Sequence, residues 1–561
     1  MLLFFVSNTL CSNNISPQNE GNNKILSEDE LNLKKKVVFI TGSTGVMGTE
    51  TLNNFFQHLS EFRLKLLVRP SKKNKKTMER IIKKYNNQEN NIEVIWGDLL
   101  NYEDVLKGVE GSDYVLHIGG SVSPKCDLQP YLTYRTNVHG AQHIAKAILQ
   151  QKNKDDIKVC FIGSVAETGN RNYPIHWGRT GDPIKISIYD HYAISKVIAE
   201  RVFVESGIKN WVIFRQSAIL NPNIFHNIDP IIFHVPLNDV LEWCTVEDAG
   251  RLMLNLVCKD KNQELPSDFW NRFYNVGSGE SYRYTNYEFY SIMFKYVGLG
   301  KIESSFEPRW FTTKNFHGHY FLDSDILDEY LHFRGNVPTD EYYERTMKKI
   351  DFFFKIPNYI PFKSFLAFFV KPVMKLIAST KNFGTLNWIM TNNSDRISSF
   401  YGSFEDYEKI PASWSDFKIE KFNTSVVDGM KYSLNHGYDE KKPMNELDID
   451  DMKEAAIFRG GEIVSKEMIK GDLRSKLVWR CGHCGKTFEA SPTLILLGGH
   501  WCPHCFVPLE SWDYDSIAKQ NPFFAQVWYP DHNKNENNVY RFKELFNDSC
   551  FEKPGKQDSE L

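Results

Sequence analysis

The sequence has no marked excess of charge of either sign. Its 67 Lys and Arg residues are balanced by 70 Asp and Glu residues, which leaves a net charge of -3 over 561 residues. A chain this close to neutral has no global electrostatic attraction for nucleic acid or for a membrane surface, so either partner would need a local patch. The chain is also too long for one hydrophobic core, and two or more domains are expected.

Long apolar runs are absent as well. No segment reaches about 18 uninterrupted apolar residues, so no transmembrane segment is expected. The first residues (MLLFFVSNTLC) contain a five-residue apolar run without a basic flank, which is too short for the apolar region of a secretory signal. We expect residues 1–35 to form a disordered leader.

The cysteines are too unevenly placed for a disulfide framework. Four of the ten lie between Cys481 and Cys505, and the other six are scattered singly. A secreted, disulfide-stabilised protein would have denser and more evenly spread cysteines. The pattern favours a reducing compartment, and we expect a cytoplasmic protein.

A strand, a glycine-rich turn and a helix open the ordered part of the chain. Residues 37–40 (VVFI) form the apolar run of a buried parallel strand, and residues 41–48 (TGSTGVMG) lead into a helix-compatible segment. Gly42, Gly45 and Gly48 suit a tight turn, close approach to a pyrophosphate and close helix packing. The helix N-terminus offers unpaired N–H groups to the phosphates. The spacing predicts a dinucleotide-binding loop, with an ordinary turn as the alternative.

The end of the second predicted strand bears on the choice of cofactor. Residues 64–68 (LKLLV) lead into Arg69, at a position where an acidic residue would accept hydrogen bonds from the ribose hydroxyls of NAD. Arg69 suits the 2′-phosphate of NADP instead, and a serine and two lysines follow closely. NADP is the favoured cofactor and NAD the alternative. A solvated basic loop is the other interpretation.

Strand and helix patterns continue to alternate along the chain. Buried strands are predicted at residues 94–96, 114–117 and 159–162, and a helix is predicted over residues 138–150. This rhythm predicts an α/β fold, a Rossmann-type doubly wound parallel sheet with the cofactor at the carboxyl ends of its strands.

A serine, a tyrosine and a lysine form the candidate catalytic set. Ser164 closes a predicted strand, while Tyr192 and Lys196 are four residues apart on a predicted helix and so project from one face. A phenol with a pKa of about 10 is a poor proton donor or acceptor near neutrality. A neighbouring ammonium and the oxidised nicotinamide ring favour the phenolate and lower that pKa. The set predicts proton exchange between Tyr192 and a substrate oxygen.

These segments resemble the extended short-chain dehydrogenase/reductases, the epimerase/dehydratase-like family. The resemblance covers roughly residues 36–345 and implies an NAD(P)-dependent enzyme with a smaller substrate-binding lobe. It rests on TGSTGVMG at 41–48, GDL at 97–99, TNVHGAQ at 136–142, Ser164 five residues before Gly169, YAISK at 192–196, WVIFRQSAIL at 211–220, VEDA at 246–249 and YNVG at 274–277.

The resemblance also implies a role for each matching residue. Tyr192 would be the general acid/base, and Lys196 would bind the nicotinamide ribose and tune Tyr192. Ser164 would hold the substrate oxygen, and Asn137 would belong to the proton-relay network. The expected cofactor-binding residues are Gly42, Gly45, Met47, Gly48, Arg69, Asp98, Leu99, Gly119, Tyr192 and Lys196, with Asp98 and Leu99 at the adenine.

Three functions remain open at this point. The leading expectation is an NAD(P)-dependent oxidoreductase that transfers hydride between NADPH and an alcohol or carbonyl substrate. The first alternative is a nucleotide-sugar epimerase or dehydratase, which Arg215-Gln216-Ser217 weakens because such enzymes commonly have an aromatic residue and Gly-Pro there. The chain also departs from the family at residues 117–120, which are HIGG where family members often have His-x-Ala-Ala. The two glycines would leave more space at the wall of the cofactor site. The second alternative is an NAD(P) sensor that acts through its zinc ribbon, against which the intact catalytic set argues.

Residues 346–440 are aromatic and irregular. The stretch 351–379 mixes apolar residues with four lysines, and its three prolines exclude a single long helix. One interpretation is an amphipathic surface that meets a membrane or a lipid-like substrate. The favoured interpretation is a helix pair packed on the reductase domain.

Two CxxC motifs near the C-terminus predict a metal site. They consist of Cys481 and Cys484, then Cys502 and Cys505 after 17 intervening residues. Four thiolates saturate a tetrahedral zinc and leave no position for water, so a structural zinc is expected and two redox dithiols are the alternative. The surrounding residues resemble the probable zinc-ribbon modules of some DNA-handling proteins.

The ribbon is predicted to span residues 441–510, and residues 511–561 form a tail that packs back or is partly disordered. Nucleic acid or a protein partner is not favoured, because acidic residues interleave with the basic ones. The basic residues are Lys466, Lys470, Arg474, Lys476, Arg480 and Lys486. The catalytic set uses no metal, so loss of zinc is expected to leave hydride transfer largely intact.

Overall fold

The computed structural model describes residues 35–84, 91–122, 126, 129–222, 224, 228–360, 363–508 and 511–541. Its main unit is a seven-stranded sheet in the order β7-β6-β5-β4-β1-β2-β3, and every neighbouring pair is parallel. The strands are β1 (Lys36–Thr41), β2 (Phe62–Val68), β3 (Ile92–Trp96), β4 (Tyr114–His117), β5 (Lys158–Ser164), β6 (Asn210–Gln216) and β7 (Arg272–Val276). The predicted leader lies, except for its last residue, outside the described residues.

Helices cover both faces of this sheet because its strands are apolar on both sides. In β1, Phe39 belongs to the core on one face, while Val38 and Ile40 belong to the core on the other. The covering helices are α1 (Val46–Phe55), α2 (Lys72–Lys84), α3 (Tyr102–Val109), α4 (Gly140–Leu149), α5 (His191–Glu205) and α6 (Val246–Lys261). Helical turns at Pro130–Tyr134 and Arg135–His139 precede α4. The doubly wound prediction is confirmed.

The strand order reverses between β1 and β4. Chain connections leave this point in opposite directions, so a crevice opens at the carboxyl ends of these two strands. The glycine-rich turn follows β1, and the segment Ile118–Gly120 follows β4. The predicted cofactor loop therefore lies where this class of sheet binds ligands.

A smaller lobe with an aromatic core lies beside the sheet. It contains α7 (Asn286–Val297) and α9 (Thr339–Lys349), and its core includes Tyr282, Phe289 and Tyr342. Between these helices, α8 (Ser324–Leu331) packs on the main sheet core. Three short two-stranded pairs accompany the lobe. They are Val240–Glu242 with Arg283–Thr285, Ile219–Leu220 with Cys244–Thr245, and Trp177–Gly178 with Tyr320–Phe321.

The aromatic region forms short helices rather than one long one. Helical turns at Phe352–Tyr359 precede α10 (Lys363–Ala378), which contains Pro372. Further short helices are Thr385–Met390, Ser394–Phe400, Phe404–Glu408 and Val426–Gly429. None of the helices in the described part of the chain is long and apolar enough to cross a membrane.

The C-terminal segment shares a core with one face of the main sheet. It comprises α11 (Ile449–Phe458), the antiparallel strands β8 (Gly461–Ile463), β9 (Leu477–Cys481) and β10 (Thr487–Ala490), and the tail helices α12 (Tyr514–Gln520) and α13 (Pro522–Trp528). Trp479 and Leu496 belong to the same hydrophobic cluster as Phe161 of β5 and Phe203 of α5. Residues 542–561 of the predicted tail lie outside the described residues.

Candidate functional site

The turn after β1 is closed by its own glycines. Gly42 has φ +73°, and the N–H of Gly45 donates to its carbonyl at 2.9 Å. A Cβ on Gly42 would lie 2.6 Å from Gly119, and one on Gly48 would lie 2.1 Å from the Gly42 carbonyl. The Ser43 hydroxyl is buried without a hydrogen-bond partner among the described residues, and α1 begins without a side-chain cap. This cradle of open N–H groups and an orphaned hydroxyl fits a pyrophosphate.

The opposite wall of the crevice follows β4. The Thr41 hydroxyl accepts a hydrogen bond from the N–H of Gly119 at 3.0 Å and meets Nδ1 of His117 at 2.8 Å. A Cβ on Gly119 would lie 3.0 Å from the Gly42 nitrogen, so glycine keeps the two loops in contact. Burial, with the nearby Lys196 charge, lowers the pKa of His117 to about 3, and the ring is therefore neutral.

The residues predicted for the adenosine end follow β2 and β3. Arg69 is exposed directly after β2, and Asp98 follows β3, where its Oδ1 accepts from the N–H of Leu100 at 2.9 Å. Leu99 is nearly buried beneath this turn. The side chain of Met47 packs in the core between α1 and the sheet. Arg69, Asp98 and Leu99 therefore lie at one edge of the sheet, as their assigned roles require.

The structure brings the candidate catalytic residues together at the end of β5. The Tyr192 hydroxyl lies close to the Ser164 hydroxyl, and Lys196 Nζ lies 5.8 Å from the centre of the Tyr192 ring. Burial raises the pKa of Tyr192, and the hydrogen bond from Ser164 opposes that rise. Lys196 donates to the Ile162 carbonyl at 2.8 Å, and burial lowers its pKa to about 8.

Asn137 joins the catalytic helix to the loop after β4. Its Nδ2 donates to Ser195 Oγ at 2.8 Å, and its Oδ1 accepts from the N–H of Ser121 at 2.7 Å. Ser195 donates in turn to the Tyr192 carbonyl at 2.7 Å. These bonds fix the position of Tyr192 relative to the cofactor crevice, and the proton-relay role of Asn137 stays a prediction.

Comparison with protein families identifies this part of the chain. Residues 38–277 match the NAD dependent epimerase/dehydratase family. This segment is similar to the members of that family. It runs from β1 to just beyond β7 and includes the glycine loop, Ser164, Tyr192 and Lys196. The resemblance stated from the sequence is confirmed, and it supports an enzyme of the extended short-chain dehydrogenase/reductase type. The choice between NAD and NADP stays a prediction.

Curated relatives align over a shorter stretch of the chain. The UDP-glucose 4-epimerase of Rickettsia massiliae (strain Mtu5) is 29% identical over 118 residues, which are 21% of this chain and 34% of the relative. The corresponding enzyme of Rickettsia canadensis (strain McKiel) is 30% identical with the same coverage. The chain thus spans about a third of the length of these relatives.

Solved structures are similar over about half of the chain. A double mutant of dTDP-glucose 4,6-dehydratase from Streptomyces venezuelae with NAD bound is 16% identical with a TM-score of 0.45, covering 55% of this chain and 95% of that one. The UDP-glucuronic acid 4-epimerase of Bacillus cereus in complex with NAD is 16% identical with a TM-score of 0.43, covering 56% and 96%.

A buried ionic network lies directly behind Ser164 of the epimerase/dehydratase domain. Glu167 Oε1 accepts from the N–H of Ser164 at 2.7 Å, and the Arg215 guanidinium lies 3.4 Å from Oε2. Arg215 also binds Glu200 of α5 at 2.6 Å. Burial and the nearby Glu200 charge raise the pKa of Glu167, whereas Arg215 overcomes burial and holds the pKa of Glu200 below its usual range. The two carboxyl groups therefore differ in acidity, and Glu200 is the more acidic of the two.

The C-terminal segment completes this network. Arg215 donates to the Gly498 carbonyl at 2.7 Å, and Nε2 of His500 meets Glu200 Oε1 at 2.7 Å. Gly498 and His500 both lie on the loop that leads into the second CxxC motif. The loop before Cys502 is therefore joined to Ser164 by a short chain of buried polar contacts.

An open cleft adjoins the N-terminus of α5. Its walls include Asp190, whose Oδ2 lies 3.1 Å from Nδ1 of His317. They also include Arg396, whose guanidinium carbon lies 4.2 Å from the centre of the Tyr189 ring. Asp190 caps α5 by accepting from the N–H of Ala193 at 2.8 Å. The cleft therefore lies at the residues that precede and begin α5, and part of its wall comes from beyond the family match.

The four predicted metal-binding cysteines converge. Sγ of Cys481 lies 3.9 Å from that of Cys505, Sγ of Cys484 lies 3.7 Å from that of Cys502, and all four lie within 4.8 Å of one another. Tetrahedral zinc with Zn–S bonds of about 2.3 Å requires S···S distances of about 3.8 Å. The geometry fits a zinc ion.

Several residues of this site were missed from the sequence. The capping role of Asp190 is signalled locally, since Asp before a helix commonly binds an N–H three residues on. Glu200, His500 and Arg396 carry no such signal, because their contacts join positions far apart in the chain.

Proposed function

We propose that the chain is a nucleotide-sugar epimerase, which oxidises one ring hydroxyl and then reduces the same carbon from its other face. The family match and the UDP-glucose 4-epimerase relatives support this alternative over the broader expectation of a net oxidoreductase. The observation that carries it is the convergence of Ser164, Tyr192 and Lys196 at the sheet edge beside the cofactor cradle.

Tyr192 carries the proton in both directions. A sugar hydroxyl that contacts Ser164 and Tyr192 would lose its proton to the Tyr192 phenolate during oxidation, and the resulting phenol would return that proton during reduction. The bound nicotinamide supplies the redox chemistry by accepting and returning hydride. One acid/base group is enough for epimerisation, because it ends each cycle in its starting protonation state.

Dehydration requires more acid/base groups than epimerisation does, and the described site is less suited to supply them. Expelling a hydroxyl needs a second acid, and removing a proton from the neighbouring carbon needs a base. The two residues after Ser164 are Val165 and Ala166, and both are buried and apolar. The next residue, Glu167, is turned toward the Ser164 amide and Arg215. These contacts favour epimerisation over dehydration.

Lys196 holds a positive charge beside the phenol. Its nitrogen is anchored on the Ile162 carbonyl and lies close to the Tyr192 ring, so the ammonium stabilises a phenolate there. The same group lies within reach of the cofactor wall, since a Cβ on Gly120 would be 3.5 Å from it. Lys196 therefore acts on Tyr192 and on the nicotinamide ribose.

We assign the rest of the substrate to the open cleft at the N-terminus of α5. Arg396 brings a positive charge to its wall, and guanidinium groups bind phosphate oxygens strongly. We assign the diphosphate of the nucleotide sugar to this wall.

Product analysis tests the proposal. Purified protein with NAD receives UDP-glucose, UDP-glucuronic acid or dTDP-glucose in turn, and products are separated by chromatography. We expect the 4-epimer of one substrate without net reduction of NAD. Tyr192→Phe should remove the activity, while Tyr173→Phe, a change at an exposed tyrosine, should keep it. Stoichiometric reduced nicotinamide together with a keto product would contradict epimerisation.

A second candidate is an NADPH-linked carbonyl reductase, which the exposed Arg69 at the end of β2 favours. If Arg69 binds the 2′-phosphate, Arg69→Asp should weaken NADPH binding by at least about 100-fold and NADH binding far less. Dissociation constants from nicotinamide fluorescence provide the measurement, with Arg63→Asp as a control at another partly exposed arginine of β2. Equal losses for both cofactors would remove Arg69 from cofactor selection.

We also propose that Cys481, Cys484, Cys502 and Cys505 hold a structural zinc. Four thiolates leave no open position, so this ion would not bind substrate. Metal analysis of freshly purified protein should find about one zinc per chain. Protein without zinc that still folds would contradict the assignment.

A further inference from the structure

Part of the aromatic region presents apolar side chains to solvent. In the turns Phe352–Tyr359 no residue is buried, and Phe353 and Tyr359 are each 74% exposed. Exposed hydrophobic residues scattered singly are normal in soluble proteins, but a contiguous stretch of them marks an interaction surface. We call this stretch, together with the outer face of α10 described next, the aromatic surface.

The helix α10 is apolar on two opposite faces. Its inner face includes Leu366, Met374 and Ala378, and the last two belong to the core around Phe233 and Trp310. Its outer face includes Phe368 and Leu376, both 73% exposed, and the half-exposed Val373. A soluble helix that needs only one buried face has polar residues on the other. The outer face is therefore built for a second apolar contact.

The charge of this region is positive although the whole chain is slightly negative. Residues 351–381 contain five lysines and one aspartate, whereas the whole chain has a net charge of -3. Lys371 and Lys375 are four residues apart and form a row along one edge of the outer face of α10. Lys371 contacts Glu307 at 2.9 Å, and Lys375 is exposed. A local basic patch thus borders the exposed apolar side chains.

We propose that the aromatic surface binds the face of an anionic lipid bilayer. Phenylalanine, tyrosine and leucine side chains at this surface suit the boundary between headgroups and acyl chains, and the lysines suit the lipid phosphates. Long lysine side chains reach from an apolar boundary into the headgroup layer. The described helices include none that crosses a membrane, so the contact is peripheral.

The charge pattern disfavours a second copy of the chain as the occupant. A two-fold symmetric dimer through this surface would place the same lysines opposite each other, with no acidic partner in residues 352–381. An anionic bilayer instead carries charge opposite in sign to the lysines that accompany both apolar segments. The proposal does not depend on the epimerase chemistry, since none of these side chains belongs to the catalytic set.

Vesicle sedimentation of the full-length protein tests the proposal. The probes are phosphatidylcholine vesicles with and without phosphatidylserine. We expect binding to the anionic vesicles that weakens as salt rises, and much weaker binding to the neutral ones. The double variant Phe368→Ser/Leu376→Ser should bind at least about tenfold less tightly, because two apolar insertions are lost. Lys371→Gln/Lys375→Gln should reduce the preference for anionic vesicles.

Matched controls separate this surface from general stickiness. Val427→Ser removes an apolar residue that lies outside the aromatic surface and is 86% exposed. Lys418→Gln removes a lysine that also lies outside this surface and whose side chain is 81% exposed. Both should bind vesicles like the unmodified chain, and turnover should stay the same in every variant. No binding to anionic vesicles, or equal binding by all variants, would overturn the proposal.

Two further results would assign the surface to a protein occupant and overturn the proposal. One is self-association, measured by light scattering without lipid, that the Phe368→Ser/Leu376→Ser variant abolishes. The other is vesicle binding that appears only after residues 1–34 are deleted, which would show that the leader covers this surface. Vesicle binding by the intact chain with the expected variant pattern supports a bilayer.

Discussion

At the scale of single residues, Tyr192, the proposed proton carrier, is partly buried beside the buried Lys196. Tyr192→Phe keeps the ring that packs between Ser164 and Lys196 but removes the hydroxyl that exchanges the proton. We expect turnover to fall by at least about 100-fold with cofactor binding retained, since acid/base catalysis typically contributes 10²–10⁴-fold. Steady-state rates and cofactor titration check this. Activity within about threefold of the unmodified chain would remove Tyr192 from the mechanism.

Lys196 gives a pH dependence whose sign follows from burial. Its folded pKa is about 8 against 10.5 for the free side chain. Between these values the unfolded chain holds a proton that the folded chain has lost, so stability rises with pH through this window. The cost of burying the ammonium is fully present below about pH 8.

Lys196→Met removes that dependence. We expect the free energy of unfolding of the unmodified chain, relative to Lys196→Met, to rise by on the order of 2–3 kcal/mol between about pH 8 and pH 10.5. Chemical denaturation of the cofactor-free protein at several pH values measures this difference. A difference that stays flat or falls with pH would show that Lys196 is not a buried ammonium.

Sequence patterns predicted the residues whose roles depend on local spacing. The glycine turn, the Tyr192–Lys196 pair and each of the two CxxC motifs span only a few residues, and the structure brings the residues of each set together. The network behind Ser164 was not predicted, because Arg215 meets Gly498 and Glu200 meets His500 only through the tertiary fold. Arg215 lies in a segment that resembles the family, but one of its partners, Gly498, is 283 positions away in the chain.

At the scale of elements, the Cys module is attached to the catalytic helix rather than standing apart from it. The sequence suggested that loss of zinc leaves hydride transfer intact, since the reductase domain was expected to have a separate core. In the structure the loop before Cys502 supplies Gly498 and His500 to the network that holds Glu167 against Ser164. Disordering that loop removes two partners of a buried ion pair, which is strongly destabilising.

We therefore expect Cys502→Ser to lower both zinc content and turnover. The reduction in turnover should be at least about tenfold, because a shift of Ser164 disturbs the hydrogen bond to Tyr192. Lys486→Gln is the control, since this exposed residue lies in the same module without binding metal. Assays and metal analysis are made on the same samples. Full turnover in a zinc-free Cys502→Ser chain would show that the module does not support the site.

At the scale of the whole molecule, the domain with the main sheet and the C-terminal segment share one continuous core on one face of that sheet. Trp479 and Leu496 of the C-terminal segment belong to the cluster that contains Phe161 and Phe203. A chain ending at residue 345 would expose this apolar surface to water. We expect it to be insoluble, or soluble with increased dye binding and protease sensitivity. A soluble, active fragment of residues 35–345 would contradict the shared core.

Fold class was predictable at this scale because buried parallel strands and covering helices leave a repeating pattern. The docking of the C-terminal segment was not predictable, because apolar residues of a small module look alike whether they face its own interior or another surface. The outer face of α10 shows the same ambiguity. Its sequence was compatible with both packing and exposure. In the structure the inner face of α10 is packed and its outer face is exposed.

The central claim is that hydride leaves a sugar carbon and returns to it within one turnover. The direct measurement uses the nucleotide sugar that the enzyme turns over, carrying deuterium at the epimerised carbon, in the presence of excess unlabelled reduced and oxidised cofactor. The account predicts that the 4-epimer keeps its deuterium, because the same bound nicotinamide takes and returns it. Transfer of the deuterium to cofactor in solution, with a keto sugar as the product, would contradict the account.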